Sequence, residues 1–161
     1  MGRIWALAAL AAGIWLLSAY GQSRPEALGL GAPATQFSAA RADAVLGRIL
    51  DQQRPHPAGS AESAAVRARI LKELAALNVP AQVQSRMSCF SEPRWGSISC
   101  GTVNNIIAEV VPGPGRQIVI MANTDSVAAG PGAGDDMSGV ATILETIRAL
   151  KARSRVEHPI V

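Results

Sequence analysis

Aromatic side chains are scarce in this sequence: three Trp, two Phe and one Tyr make up 4% of it. The hydrophobic fraction of 48% therefore leans on alanine, which favours helices but fills a core poorly. Concentrated charge is also missing. The 15 Lys+Arg and 12 Asp+Glu give a formal charge of +3, with no basic run and no aromatics interleaved among basic residues. Nothing of that kind would track a phosphate backbone, so no nucleic-acid partner is expected. No Gly-Lys-Ser/Thr follows the glycines, which excludes a nucleotide-phosphate loop. There is no internal repeat, and 161 residues leave room for one modest domain but not for two large ones.

Cysteine is limited to Cys89 and Cys100, so one local staple is the most the chain can form with itself. An exported chain permits that disulfide; two reduced thiols are the other reading.

Charge is absent from Ile4 to Tyr20, an apolar stretch behind Arg3 that has the pattern of a signal sequence or single membrane anchor. Ala19-Tyr20-Gly21 is a mediocre small-x-small cleavage site, and the run is at the short end of what spans a bilayer, so an uncleaved anchor is the working expectation. A buried core helix fits less well, because the run is apolar on every face. The expected organisation is an anchor over 1–22, a Gly/Pro/Ser-bearing linker over 23–36 and a folded part over 37–161, outside the cytoplasm.

Ala42, Val45, Leu46, Ile49 and Leu50 recur at helical spacing and predict a helix over Ser38–Gln53. Arg54-Pro55-His56-Pro57-Ala58-Gly59-Ser60 breaks it, and Ser60 or Ser63 can cap a second helix that runs to about Leu77. Alternation then predicts strands around Val83 and over Val103–Val111, joined by a loop that bears both cysteines. Gln117–Ala122 is a nearly continuous apolar run, expected as a strand buried on both faces. A glycine-rich loop over Ala128–Gly134 precedes a helix over Ser138–Ala152, and Pro159-Ile160-Val161 opens a further apolar run in which the chain stops. The order of elements predicts an α/β fold with a mainly buried sheet and helices on its faces.

Chemistry concentrates in Asn123-Thr124-Asp125-Ser126 and in Gly130-Pro131-Gly132-Ala133-Gly134-Asp135-Asp136. Polar side chains directly after a buried strand occupy the crevice where open α/β sheets bind ligands. Gathered carboxylates suit a hard or borderline cation. Each also has a plainer role: Asp135 and Asp136 favour the positive end of the next helix, worth about 0.3 to 1 kcal/mol, and Asp125 can close a turn. An oxygen-only site at Asp125, Asp135 and Asp136 for calcium or another single metal is a further possibility.

The segment resembles the metal-binding core of the M28 family of zinc aminopeptidases, in particular the membrane-anchored branch similar to endoplasmic reticulum metallopeptidase. That pattern is a strand ending in His-x-Asp-Ser, a Gly-Pro-Gly-Ala loop and Asp-Asp-x-Ser-Gly-Val-Ala. Thr124–Val127, Gly130–Ala133, Asp135–Ala141, Leu144-Glu145 and Arg148-Ala149-Leu150 match it, as do Arg54–Ser60 and Asn104–Ala108. The resemblance implies a partial zinc-aminopeptidase-like domain acting on peptide N termini with two zinc ions. Asp135 would bridge the metals, and Asp125 would be the catalytic-site acid that orients a zinc-bound imidazole.

At the position of the family's first His ligand stands Asn123, whose amide oxygen is a far weaker zinc ligand. The family's Glu pair, general base and ligand, and its later acidic and His ligands fall beyond Ile160. The expectation is therefore a peptidase segment that is truncated and inactive as an isolated chain, or else a non-catalytic membrane-tethered remnant or binding module. His56 and His158 match no ligand position and are expected to be exposed loop residues.

Overall fold

The computed structural model describes residues 2–22, 25–94 and 96–161, with side chains described from residue 5 onward. Arg3, the charge preceding the apolar run, lies outside the described side chains, and Ser23 and Arg24, at the head of the expected linker, lie outside the described residues. Helix α1 spans Gly2–Gly21 and leaves Trp5, Leu7, Leu10, Ile14, Trp15, Leu16 and Leu17 exposed. Among the described residues no helix is long and apolar enough to cross a membrane.

Three further helices form the core. Helix α2, Ala39–Leu50, is capped by Ser38, whose hydroxyl accepts the Arg41 N–H. Helix α3, Ala61–Ala76, is capped by Ser60 through the Ser63 N–H, and Asn78, with φ of 53°, turns the chain away after it. Helix α4 spans Ser138–Lys151, with Arg148 and Lys151 at its negative end. The expected stripes face one another: Val45, Ile49 and Leu50 pack with Val66, Ile70 and Leu74, and with Val140, Leu144, Ile147 and Met137. Burying such side chains contributes roughly 1.5 to 3 kcal/mol each.

The sheet departs from expectation. Strands β1, Ala81–Glu92, and β2, Ser97–Ala108, form one antiparallel ribbon in unbroken register from Ala81↔Ala108 to Glu92↔Ser97. The segment read as a cysteine-bearing loop is thus a ladder, in which Cys89 and Cys100 stand opposite each other and form a disulfide. Most of the ribbon is exposed on both faces, because it extends past the helices that could cover it.

Residues 117–122 are not a strand buried on both faces. Val119 is 60% exposed and Met121 85% exposed. The physical reason is that the described elements leave the side chains of Val119 and Met121 uncovered; along its edge the segment is paired, since Ile118 and Ile120 exchange hydrogen bonds with Pro159 and Val161, while Val110 and Val111 bond Ile160 from its other edge. Ile160 therefore joins two stretches, and it is buried at their seam. The result is a mixed α/β fold, a two-stranded sheet flanked by helices.

Candidate functional site

Ser126, buried just past the segment that runs out of residue 122, is the pivot of the site. Its hydroxyl accepts the His56 N–H at 2.7 Å and donates to the Val127 carbonyl at 2.9 Å, and its own N–H donates to the His56 carbonyl at 3.3 Å. The Pro-flanked Arg54–Ser60 segment is thereby tied to the stretch that carries Asp125. His56 is consequently fully buried rather than exposed. Two prolines hold its backbone extended, and the paired bonds to Ser126 draw the ring inward. Nδ1 stands 3.1 Å from the Arg54 carbonyl, which can only accept, so Nδ1 is the donor there, and among the described residues the buried Nε2 has no hydrogen-bond partner. His158 is exposed, as expected.

Gly132 lies against the other side of Ser126. A Cβ there would stand 2.9 Å from Ser126 Cβ and 3.0 Å from the Asp135 carbonyl, and its φ of 64° is left-handed, so glycine is required twice over. The Gly132 carbonyl accepts the Met137 N–H and closes the turn Ala133–Met137, which leaves helical geometry at Asp135 and Asp136 before it leads into α4. The Asp135–Asp136 peptide within it is cis.

The two acidic residues of that turn have different fates. The Asp136 carboxylate folds back and accepts the Asn123 N–H at 3.1 Å, resting over Gly139, where a Cβ would overlap it. Asp135 is exposed, as are Asp125 and Asn123, and among the described residues neither the Asp135 nor the Asp125 carboxylate has a hydrogen-bond or ion-pair partner. Asn123, Thr124 and Asp125 border one end of a groove of about 790 Å³ whose walls include Ile70, Leu74, Ile106, Leu144 and Ile147.

The residues present do not fit a two-zinc centre. Among the described residues no group of three or more His, Cys, Asp or Glu side chains is placed to hold a metal ion. The donor chemistry explains this: position 123 offers an amide, Asp136 is engaged on backbone, and the His56 ring is turned into the interior. An oxygen-only calcium site at Asp125, Asp135 and Asp136 is not assembled either.

Sequence reasoning missed Ser126, His56 and the division of labour between Asp135 and Asp136. The signal that could have found the first two was the likeness of Arg54–Ser60 to the family pattern, since a segment shared with a site pattern ought to touch the site. It also missed Glu145, which is 1% exposed and accepts from Ser38 N–H, Arg41 and Arg148. Burial pulls its pKa upward, but hydrogen bonds from Arg148, Arg41 and Ser38 hold it below the usual carboxylate value.

Residues 105–161 match the family model described as Peptidase family M28. No curated protein sequence matches the chain. Two solved structures of Porphyromonas gingivalis glutaminyl cyclase are similar to it. One has 25% identity and a TM-score of 0.60 over 77% of this chain and 43% of that one. The other has 24% identity and a TM-score of 0.61 over 77% of this chain and 46% of that one. Glutaminyl cyclase of Macrostomum lignano is similar in fold, at 19% identity and a TM-score of 0.56 over 86% of this chain and 44% of that one. The chain thus spans less than half the length of these structures. Its fold is M28-like, and residues 105–161, from the end of β2 through the Asp135–Asp136 turn and α4, carry the M28 sequence pattern.

Proposed function

We propose that this chain is an aminopeptidase-like segment of an M28-type metallopeptidase fold that holds the scaffold of the site and does not hydrolyse peptides as an isolated chain. The observation that carries this reading is position 123: the strand end, the glycine loop and Asp135 stand in family order, with an amide where an imidazole is needed. In such a centre a metal polarises water and a placed carboxylate takes its proton. Asp125 has no imidazole to orient here, and no described residue is placed as that base. The exposed apolar surface of α1 supports its reading as a membrane tether, and a folded part outside the cytoplasm is part of the same proposal.

A second reading, a non-catalytic membrane-tethered binding module, is favoured by the groove beside Asp125. Its apolar walls and polar end suit an extended peptide.

Equilibrium dialysis with zinc, together with assays on aminoacyl substrates and N-terminal glutaminyl peptides, tests the first reading. Neither stoichiometric zinc nor turnover is expected from the isolated chain. Tight zinc uptake accompanied by release of N-terminal residues would overturn it, and saturable peptide binding without turnover would favour the second.

A further inference from the structure

Residues 28–38 have the composition of a flexible tether, yet they are held by an unusual density of polar contacts. All five N–H donors of Arg41 are engaged: Nε on Glu145 at 3.0 Å, Nη1 on the Leu30 and Ala32 carbonyls, and Nη2 on the Pro33 and Gln36 carbonyls. Arg148 bonds Glu145 through Nε and Nη2 and reaches the Ala34 and Gln36 carbonyls. The Ser38 hydroxyl lies within 3.0 Å of the Leu28 carbonyl and 2.8 Å of the Gly29 carbonyl, and its N–H donates to Glu145 at 2.9 Å. One buried carboxylate therefore fixes two guanidinium forks, and the forks fix the backbone of the segment.

We propose that residues 28–38 form a latch with Glu145 as its pin, which opens as a unit and independently of the helical core. The latch is pinned to α4, the helix whose entry turn carries Asp135 and Asp136. The geometry favours separate release because the strap contributes carbonyls, which guanidinium groups hold, and few apolar side chains; Phe37 is 39% exposed and Leu30 68%. Segments with few buried apolar contacts open at lower free energy than the core. This inference rests on the contacts of Glu145 and stands apart from the reading of catalysis.

The test is hydrogen exchange by mass spectrometry on the full chain in a mild detergent, comparing wild type with Glu145→Gln and Arg41→Lys. A lysine keeps a positive charge for Glu145 but has three donors on one nitrogen, so it cannot serve four carbonyls spread from residue 30 to 36. The strap N–H groups of Ala32 and Gln36, with that of Ala40 bonded to Leu28, should exchange about tenfold faster or more in both variants, and by a larger factor than those of 70–77 and 146–150, which keep wild-type protection in Arg41→Lys. If Glu145→Gln loosens the whole domain, Arg41→Lys still decides. Strap exchange unchanged in Arg41→Lys, or rising only in step with the helices, overturns the latch.

Discussion

Asp136 accepts the backbone N–H of Asn123 at 3.1 Å while its carboxylate lies over Gly139. One side chain thus ties the segment after residue 122 to the first turn of α4, and the absence of a side chain at 139 is the condition for it.

Gly139→Ala separates this contact from helix propensity. In an ordinary helix the change stabilises by about 0.4 to 1 kcal/mol. Here a methyl group would drive Asp136 off Asn123, and a net loss of about 1 to 3 kcal/mol is expected in urea denaturation. Asp136→Asn, which keeps an acceptor oxygen, should cost less. A neutral or stabilising Gly139→Ala would show that Asp136 does not hold position 123.

Glu145 makes stability depend on pH in a defined direction. Its folded pKa is lowered relative to the unfolded one, so its contribution is present above the unfolded value and is lost as pH falls through the folded value. Removing one partner of a buried pair costs about 3 to 5 kcal/mol, but the Arg41 and Arg148 side chains are 19% and 26% exposed, so Glu145→Gln should cost about 1 to 3 kcal/mol at pH 7. The gap between wild-type and Glu145→Gln urea midpoints should close on acidification from pH 7 to about pH 3. A gap constant with pH would mean that shape, and not charge, is what Glu145 supplies.

The disulfide should act locally. Its ends are 11 residues apart, a loop whose closure is worth about 2 to 3 kcal/mol in the chain-entropy picture. Replacing both cysteines by serine should speed exchange across 86–103 and leave the far-ultraviolet melting of α2, α3 and α4 nearly unmoved. A matching drop in the helical transition would place the ribbon within the cooperative core.

Asn123→His asks how much of the metal deficit lies at one position. An imidazole between Ala122 and Thr124, two residues before Asp125, should tighten zinc binding by about tenfold or more in dialysis. Peptide hydrolysis should remain absent, since no base is added. Turnover in this variant would mean that the remaining donors suffice.

The helices were legible because each depends on its own residues: the apolar spacing of Val45, Ile49, Val66 and Ile70, and the serine caps, are local facts. The ribbon was underestimated because Ser85, Arg86, Ser88 and Ser91 blur the alternation, and backbone pairing with a disulfide holds it instead. The apolar run 117–122 signals burial, but burial needs a cover that its own residues cannot supply. At the site, the order of Asn123, Asp125 and Asp135 could be read directly. The inward turn of His56 and the grip of Arg41 could not, because carbonyl acceptors are the same in every residue and leave no pattern.

Ile160 carries a consequence for the order in which the molecule assembles. Val110-Val111 and Ile118 lie close in sequence, yet each is bonded to residues 159–161, some forty to fifty positions further along. The ribbon can form from neighbouring contacts, whereas this seam, like the packing of α2 against α4, requires closure of a long loop, and such non-local pairings come late and set folding rates. A nascent chain would therefore acquire its ribbon first and close the seam between 111 and 118 later, with the packing of its helices.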